Sequence, residues 1–272
     1  MTEFADVDWS AGAKHDAPAD AVDAPRISRK DFLAMFGADY RSGQHATFLG
    51  PTQRGKTTLA FQCLKTVISP KHKALVLASK PKGRDHMMEE VPKDLNLRVI
   101  HHWPPDYAPI ADRKKNGWVL KPNQRMRNPD EDNAILKTEF RAAILGAYRT
   151  SKDKPIITLA DEAALIQYDL QLKKECDQAL MRGAPVNAMW TIAQRGRWLS
   201  YHVYDAAEHL FIFYDPDLSN QARYGEIGGA DKREIMRLTA SLQTKRLENG
   251  RTVSECLYIK RAGPEFFIIE TN

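Results

Sequence analysis

Gly50-Pro51-Thr52-Gln53-Arg54-Gly55-Lys56-Thr57 matches the pattern G-x-x-x-x-G-K-[ST], with Thr58 directly after it. Residue types at this spacing wrap the phosphates of a nucleotide. Glycines let backbone N–H groups approach the oxygens, the lysine reaches the β- and γ-phosphates, and the Thr57 hydroxyl ligates Mg²⁺. A second constellation closes the run Ile156-Ile157-Thr158-Leu159-Ala160-Asp161-Glu162. Hydrolysis of a triphosphate needs a carboxylate to help hold Mg²⁺ and a group to position the attacking water. Asp161 suits the first task and Glu162 the second; the alternative is a pair of acids that merely favour a helix N-terminus. A third candidate is Gln194, at the tip of the apolar run 186–193, where it would contact a γ-phosphate or water and report its loss; the alternative is a plain loop glutamine. Arg195 and Arg197 follow, open to pairing with phosphate or to plain solvation.

Elements must bring these groups together. His45-Ala46-Thr47-Phe48-Leu49 reads as a strand into the phosphate loop, and residues 57–69 as the helix after it, stopped by Pro70. Apolar runs at 74–78, 97–100, 155–160 and 186–193 read as further strands, with helices expected at 28–36, at 132–148 with Asp132 as cap, and near 168–182. Strands alternating with helices predict an α/β fold, a mostly parallel sheet flanked by helices. Ligands of such sheets gather at the carboxyl ends of the strands. Runs at 210–214, 254–259 and 265–269 add three strands, the last two joined by Lys260-Arg261-Ala262-Gly263-Pro264 as a C-terminal antiparallel hairpin.

The 272 residues, 43% hydrophobic and 28% charged, suit a globular core. No apolar run is long enough to span a membrane and no secretory signal is visible, so a cytoplasmic location is expected. Cys63, Cys176 and Cys256 match no metal spacing and read as buried free thiols. Residues 1–24 carry a net −5 and few large apolar groups, leaving +10 on the remainder. Residues 1–26 are therefore expected to be a disordered acidic leader and 27–272 the ATPase domain. A basic body suits a polyanionic partner. The segment 104–131, with Arg113, Lys114, Lys115, Lys121, Arg125 and Arg127 around Trp118, reads as a long insertion loop. It would track a nucleic-acid backbone and stack on a base, or simply be solvated.

Together these residues resemble the FtsK–HerA superfamily of P-loop ATPases. The resemblance is carried by Gly43-Gln44-His45-Ala46-Thr47-Phe48-Leu49-Gly50, the strand ending in Asp161-Glu162, Thr191-Ile192-Ala193-Gln194-Arg195 and Ala206-Ala207-Glu208-His209-Leu210-Phe211-Ile212-Phe213. It spans residues 42–215, and chain length points to the viral genome-packaging branch. It implies a P-loop NTPase (RecA-like) fold, ATP and Mg²⁺ as cofactors, double-stranded DNA as partner, a homo-oligomeric ring, hexamer or pentamer, that translocates DNA, and the host cytoplasm as location if the chain is viral. Rings of this kind complete their sites with an arginine from a neighbouring subunit; Arg195, Arg197, Arg223 and Arg261 are the candidates. Alternatives are a terminase-like ATPase subunit, favoured if Arg54 contacts the γ-phosphate, and a nucleotide-gated assembly or secretion factor with little turnover. A small-molecule kinase is disfavoured by the Asp-Glu pair and the absence of an evident lid.

Overall fold

A strand covered on both faces by helices is apolar at nearly every position, and its alternating side chains then sort into two cores. A computed structural model describes residues 24–81, 87–105, 114–149, 154–183, 185–195, 199–229, 231–248, 250–263 and 265–271 of this chain. Its central strands, all parallel, are β2 (His45–Leu49), β3 (Lys73–Leu77), β6 (Ile156–Ala160), β7 (Ala188–Ala193) and β8 (Ala207–Phe213). They lie in the order β8-β2-β7-β6-β3, continued beyond β3 by β5 (Gly117–Leu120) and β4 (Arg98–Ile100), also parallel. On the other side β11 (Cys256–Lys260) and β12 (Glu265–Ile269) form the expected antiparallel hairpin, and β1 (Arg26–Ile27) runs parallel to β12. The result is a ten-stranded sheet among the described residues, with the fold of a P-loop NTPase.

Helices α1 (Arg29–Asp39), α2 (Lys56–Val67) and α3 (Met87–Asp94) cover one face. There Phe32, Phe36, Leu59 and Leu64 pack on Phe48, Val76, Leu159 and Phe211. The opposite face is covered by α4 (Pro129–Tyr148), α5 (Lys173–Arg182), α6 (Tyr201–Asp205), α7 (Leu218–Ile227) and α8 (Lys232–Ala240). Phe140, Ile144, Leu180, Tyr204 and Tyr224 pack there on Leu75, Leu77, Leu210 and Ile212. Burying a side chain of this size contributes about 1.5–3 kcal/mol, so two continuous cores hold the strand ends rigidly in register. The three cysteines are buried and free. None of the described helices is long and apolar enough to cross a membrane.

Several sequence expectations shift. The leader's last residues belong to the fold: Ala24 is buried, and Arg26 lies opposite Ile268 in β1–β12. Residues 1–23 lie outside the described residues. Asp132 does not cap α4. Asn128 does, its side chain accepting from the Asp130 amide, with Pro129 at the first helical position. Asp132 is instead buried one turn in, where its carboxylate accepts from the amides of Arg125 and Met126 at 2.7 and 3.0 Å.

The segment 104–131 is not a loop throughout, because β5 lies inside it between β3 and β4. Trp118 is half-buried there, edge-on to Trp103 at 5.7 Å, with the Lys73 ammonium 4.7 Å from its ring centre. It is therefore a wall of the fold and not a platform for a base. Lys115 donates to the Asn96 side chain at 3.0 Å, and Arg113 lies outside the described residues. The helix expected near 168–182 divides into a π-helical turn (Leu165–Asp169) and α5.

Candidate nucleotide site

The phosphate loop owes its shape to two glycines. Gly50 has φ 142° and Gly55 φ 96°, conformations that side-chain-bearing residues rarely adopt. A Cβ on Gly50 would also lie 2.7 Å from the Phe213 Cβ, so glycine is required there for packing as well. Gln53 takes φ 60° at the exposed tip. The Gly50 amide donates to the Ala193 carbonyl at 3.3 Å, which ties the loop to the end of β7. Gly55 is the N-cap of α2 and offers no side chain, so the first amides of that helix face whatever the loop encloses.

Register brings the three sequence constellations together. Leu49 pairs with Ala193, Ala160 with Thr191, and Leu77 with Ala160. The phosphate loop, Asp161-Glu162, Gln194 and the segment after β3 therefore leave the sheet side by side at its carboxyl edge. They enclose a cavity of ≈ 820 Å³ lined by Thr52, Gln53, Lys56 and Thr57, by Asp161 and Glu162, and by Gln194 and Arg195. Leu165, Tyr168 and Asp169 of the π-helical turn form another wall. Asp161 is buried, Glu162 half-buried with φ 62°, and Gln194 and Arg195 exposed. The cavity lining does not include Pro51, Arg54 or Thr58. Pro51 still contributes, since its carbonyl accepts from Lys56 Nζ at 2.6 Å. The Arg54 guanidinium lies over the Tyr214 ring at 5.5 Å.

The arginine candidates separate. Arg195 lines the cavity, and Arg197 lies outside the described residues. Arg223 pairs with Glu226 at 3.0 Å on α7. Arg261 sits at the opposite, amino-terminal edge of the parallel strands, because Lys260 lies opposite His209 near the start of β8. There it donates to the carbonyls of Tyr204 and Asp205.

Lys80 belongs to none of the sequence motifs. It lies three residues past β3, lines the cavity, and its ammonium stands 3.3 Å from a Glu162 carboxylate oxygen. The rule that ligands gather at strand carboxyl ends applies to the run at 74–78 as well as to its neighbours, and would have pointed there. The ion pair fixes the orientation of Glu162 and adds a second cation beside Lys56.

Lys56 is itself buried, and its pKa is lowered to about 8. Burial is the main cause and the Lys80 charge adds to it, against the attraction of Asp161, Asp215 and Glu162. A buried ammonium near its titration point gains from an anion placed against it. The residues fit a Mg²⁺–nucleoside triphosphate. Mg²⁺ is held by one or two protein oxygens together with phosphates and water, and Thr57 and Asp161 provide such a pair at the cavity. Among the described residues no cluster of three or more His, Cys, Asp or Glu offers an all-protein metal cage.

The pH dependence follows with a definite sign. A bound polyanion raises the Lys56 pKa above about 8, so binding above that pH takes up a proton and affinity falls as pH rises through 8. Calorimetric titration with ATP at a pH about one unit above that pKa, in buffers of differing ionisation enthalpy, should show proton uptake that is absent about one unit below it. Equal protonation at both pH values would contradict the assignment.

No protein-family model and no curated protein matches the chain. Solved structures do. The genome-packaging NTPase B204 of Sulfolobus turreted icosahedral virus 2, in complex with AMP, superposes with a TM-score of 0.55 at 15% identity, covering 84% of this chain and 98% of that one. B204, the DNA-packaging ATPase of Sulfolobus turreted icosahedral virus, gives 0.55 at 14% identity over 86% and 100%. The virus 2 protein with ATP-gammaS gives 0.53 at 14% over 85% and 98%. They show that this chain has their P-loop NTPase fold over nearly their whole length.

Proposed function

We propose that this chain is an ATP-hydrolysing motor that moves double-stranded DNA, with packaging of a viral genome as its task. The observation that carries the hydrolytic part is the in-register convergence of the phosphate loop, Asp161-Glu162 and Gln194 on one cavity. When bound, Mg²⁺ neutralises charge on the triphosphate and helps polarise it. Backbone amides at the start of α2 hold the phosphates, with Lys56 and Lys80 supplying positive charge on two sides. Thr57 and Asp161 hold the metal. Glu162 accepts a proton from, or orients, the attacking water, and Gln194 contacts the same region from β7. Phosphoryl transfer needs chiefly this positioning and charge.

The DNA part is supported by the packaging proteins whose fold the chain shares. The assembly we infer is a homo-oligomeric ring in which an arginine reaches a neighbour's cavity, while Arg195 lines the chain's own. A ring working on DNA would act in the compartment where the genome is, the host cytoplasm for a virus. A nucleotide-gated assembly factor with little turnover is the second reading, favoured by the Lys80 contact that engages Glu162.

Displacement of a triplex-forming strand from a duplex tests the motor. The wild-type chain should release the strand when ATP and Mg²⁺ are present and fail to do so with a non-hydrolysable analogue. ATP hydrolysis without any strand release would contradict translocation.

A further inference from the structure

Outside the main sheet, β9 (Thr244–Arg246) and β10 (Thr252–Ser254) form a separate two-stranded antiparallel ribbon. Every residue of β9 is exposed. Lys245 lies opposite Val253 and Arg246 opposite Thr252, so successive cations leave opposite faces of the ribbon. The tip is closed by the Leu247 amide on the Arg251 carbonyl at 2.8 Å and the Gly250 amide on the Leu247 carbonyl at 2.9 Å. Arg251, at that end, is engaged within the protein. Lys245 and Arg246 enter no ion pair among the described residues. Nothing in the nucleotide cavity uses these side chains.

The root of the ribbon is as rigid as its tip is exposed. The Gln243 amide donates to the Glu255 carboxylate at 2.8 Å, and the Glu255 amide to the Gln243 carbonyl at 2.9 Å. Glu255 is held further by Arg26. Between them Ser254 is fully buried, its hydroxyl accepting from the Tyr214 amide and donating to the Glu255 carbonyl. The Ser254 amide donates to the carbonyl of Arg54 at 3.2 Å. Arg54 stands in the phosphate loop between Gln53 and Gly55, both in left-handed conformations.

We propose that the β9–β10 ribbon grips the phosphate backbone of duplex DNA and that its Ser254–Arg54 root transmits this contact to the phosphate loop. A two-stranded ribbon fits the B-DNA major groove, about 12 Å wide, and cations on both faces then meet the phosphates that border it. A shift of the ribbon moves the Ser254 amide and with it the carbonyl that helps shape the phosphate loop. The proposal rests on the duplex-DNA function proposed for the chain.

The test is binding of a fluorescent duplex of mixed sequence by the full chain, followed by anisotropy over roughly 50 to 200 mM salt. Lys245→Gln and Arg246→Gln together should lower the slope of log affinity against log salt by about 1.8, about 0.9 for each phosphate no longer neutralised. The charge-preserving pair Lys245→Arg and Arg246→Lys should keep the slope. Saturating duplex should also change ATP affinity in the wild type and in the charge-preserving variant, but not in the glutamine variant, since coupling is reciprocal. A wild-type chain that ignores duplex DNA would sink the motor reading and the ribbon with it. A wild type that binds, together with a glutamine variant of unchanged slope, would overturn the ribbon alone. Unchanged ATP coupling in a duplex-saturated glutamine variant would overturn the transmission through Ser254.

Discussion

Glu162→Gln is expected to bind ATP at least as tightly as the wild type and to lose turnover by about 10²–10⁴-fold, the range for removing a general base. Glutamine keeps the size of the side chain and offers Lys80 a carbonyl oxygen, so the cavity wall stays in place. What disappears is a charge. A neutral amide accepts no proton and polarises water weakly. The same change leaves Lys80, which in the wild type stands 3.3 Å from a carboxylate oxygen, without that anionic partner. The ammonium is then more available to a triphosphate, which accounts for the retained or improved affinity. Equilibrium binding of a fluorescent ATP analogue and the rate of phosphate release separate the two effects. Normal phosphate release by the variant would remove Glu162 from the water-positioning role.

Lys56→Ala is expected to weaken ATP binding by roughly 100-fold, because charged hydrogen bonds to the phosphates are each worth about 1.5–3 kcal/mol. The loss falls on binding and not on folding. Lys56 is a buried cation that donates to the Pro51 carbonyl, and burial already disfavours its charge. Removing it relieves that penalty and leaves the apolar packing of α2 through Leu59, Ala60 and Leu64 intact. Lys56→Arg should not rescue binding, since a planar guanidinium is wider than the buried space an ammonium occupies. Titration calorimetry beside thermal unfolding checks this. A variant that binds ATP normally, or one that loses binding only because it unfolds, would contradict it.

The sheet core was readable in the sequence for a physical reason. Strands covered on both faces leave unbroken apolar runs, as at 74–78, 156–160 and 188–193, and the phosphate loop is a local signal with its own strand and helix attached. Carboxyl-edge logic puts Asp161, Glu162 and Gln194 near one another from sequence alone, and the register Ala160–Thr191 and Leu49–Ala193 brings their segments together. Elements defined by a partner left no such trace. β1 is two residues long and exists through β12, whose Ile268 amide donates to the Pro25 carbonyl. β5 is four residues inside a basic segment, and only its neighbours β3 and β4 make it a strand. The β9–β10 ribbon is polar, so hydrophobic periodicity is silent about it. Asp132 misled because an acid before a helical pattern resembles a cap. Asn128 followed by Pro129 was the stronger signal, since proline favours the first helical position. Lys80 escaped because it belongs to no phosphate-loop or Asp-Glu pattern; its place is set by a strand that ends shortly before it.

The most direct test of the central claim is steady-state ATP hydrolysis by the wild-type chain with and without saturating duplex DNA. A DNA-translocating motor should hydrolyse ATP several-fold faster on duplex DNA, and Glu162→Gln should abolish both rates. Robust hydrolysis that is indifferent to DNA would contradict the motor, and tight ATP binding with negligible hydrolysis under both conditions would leave the nucleotide-gated factor in its place.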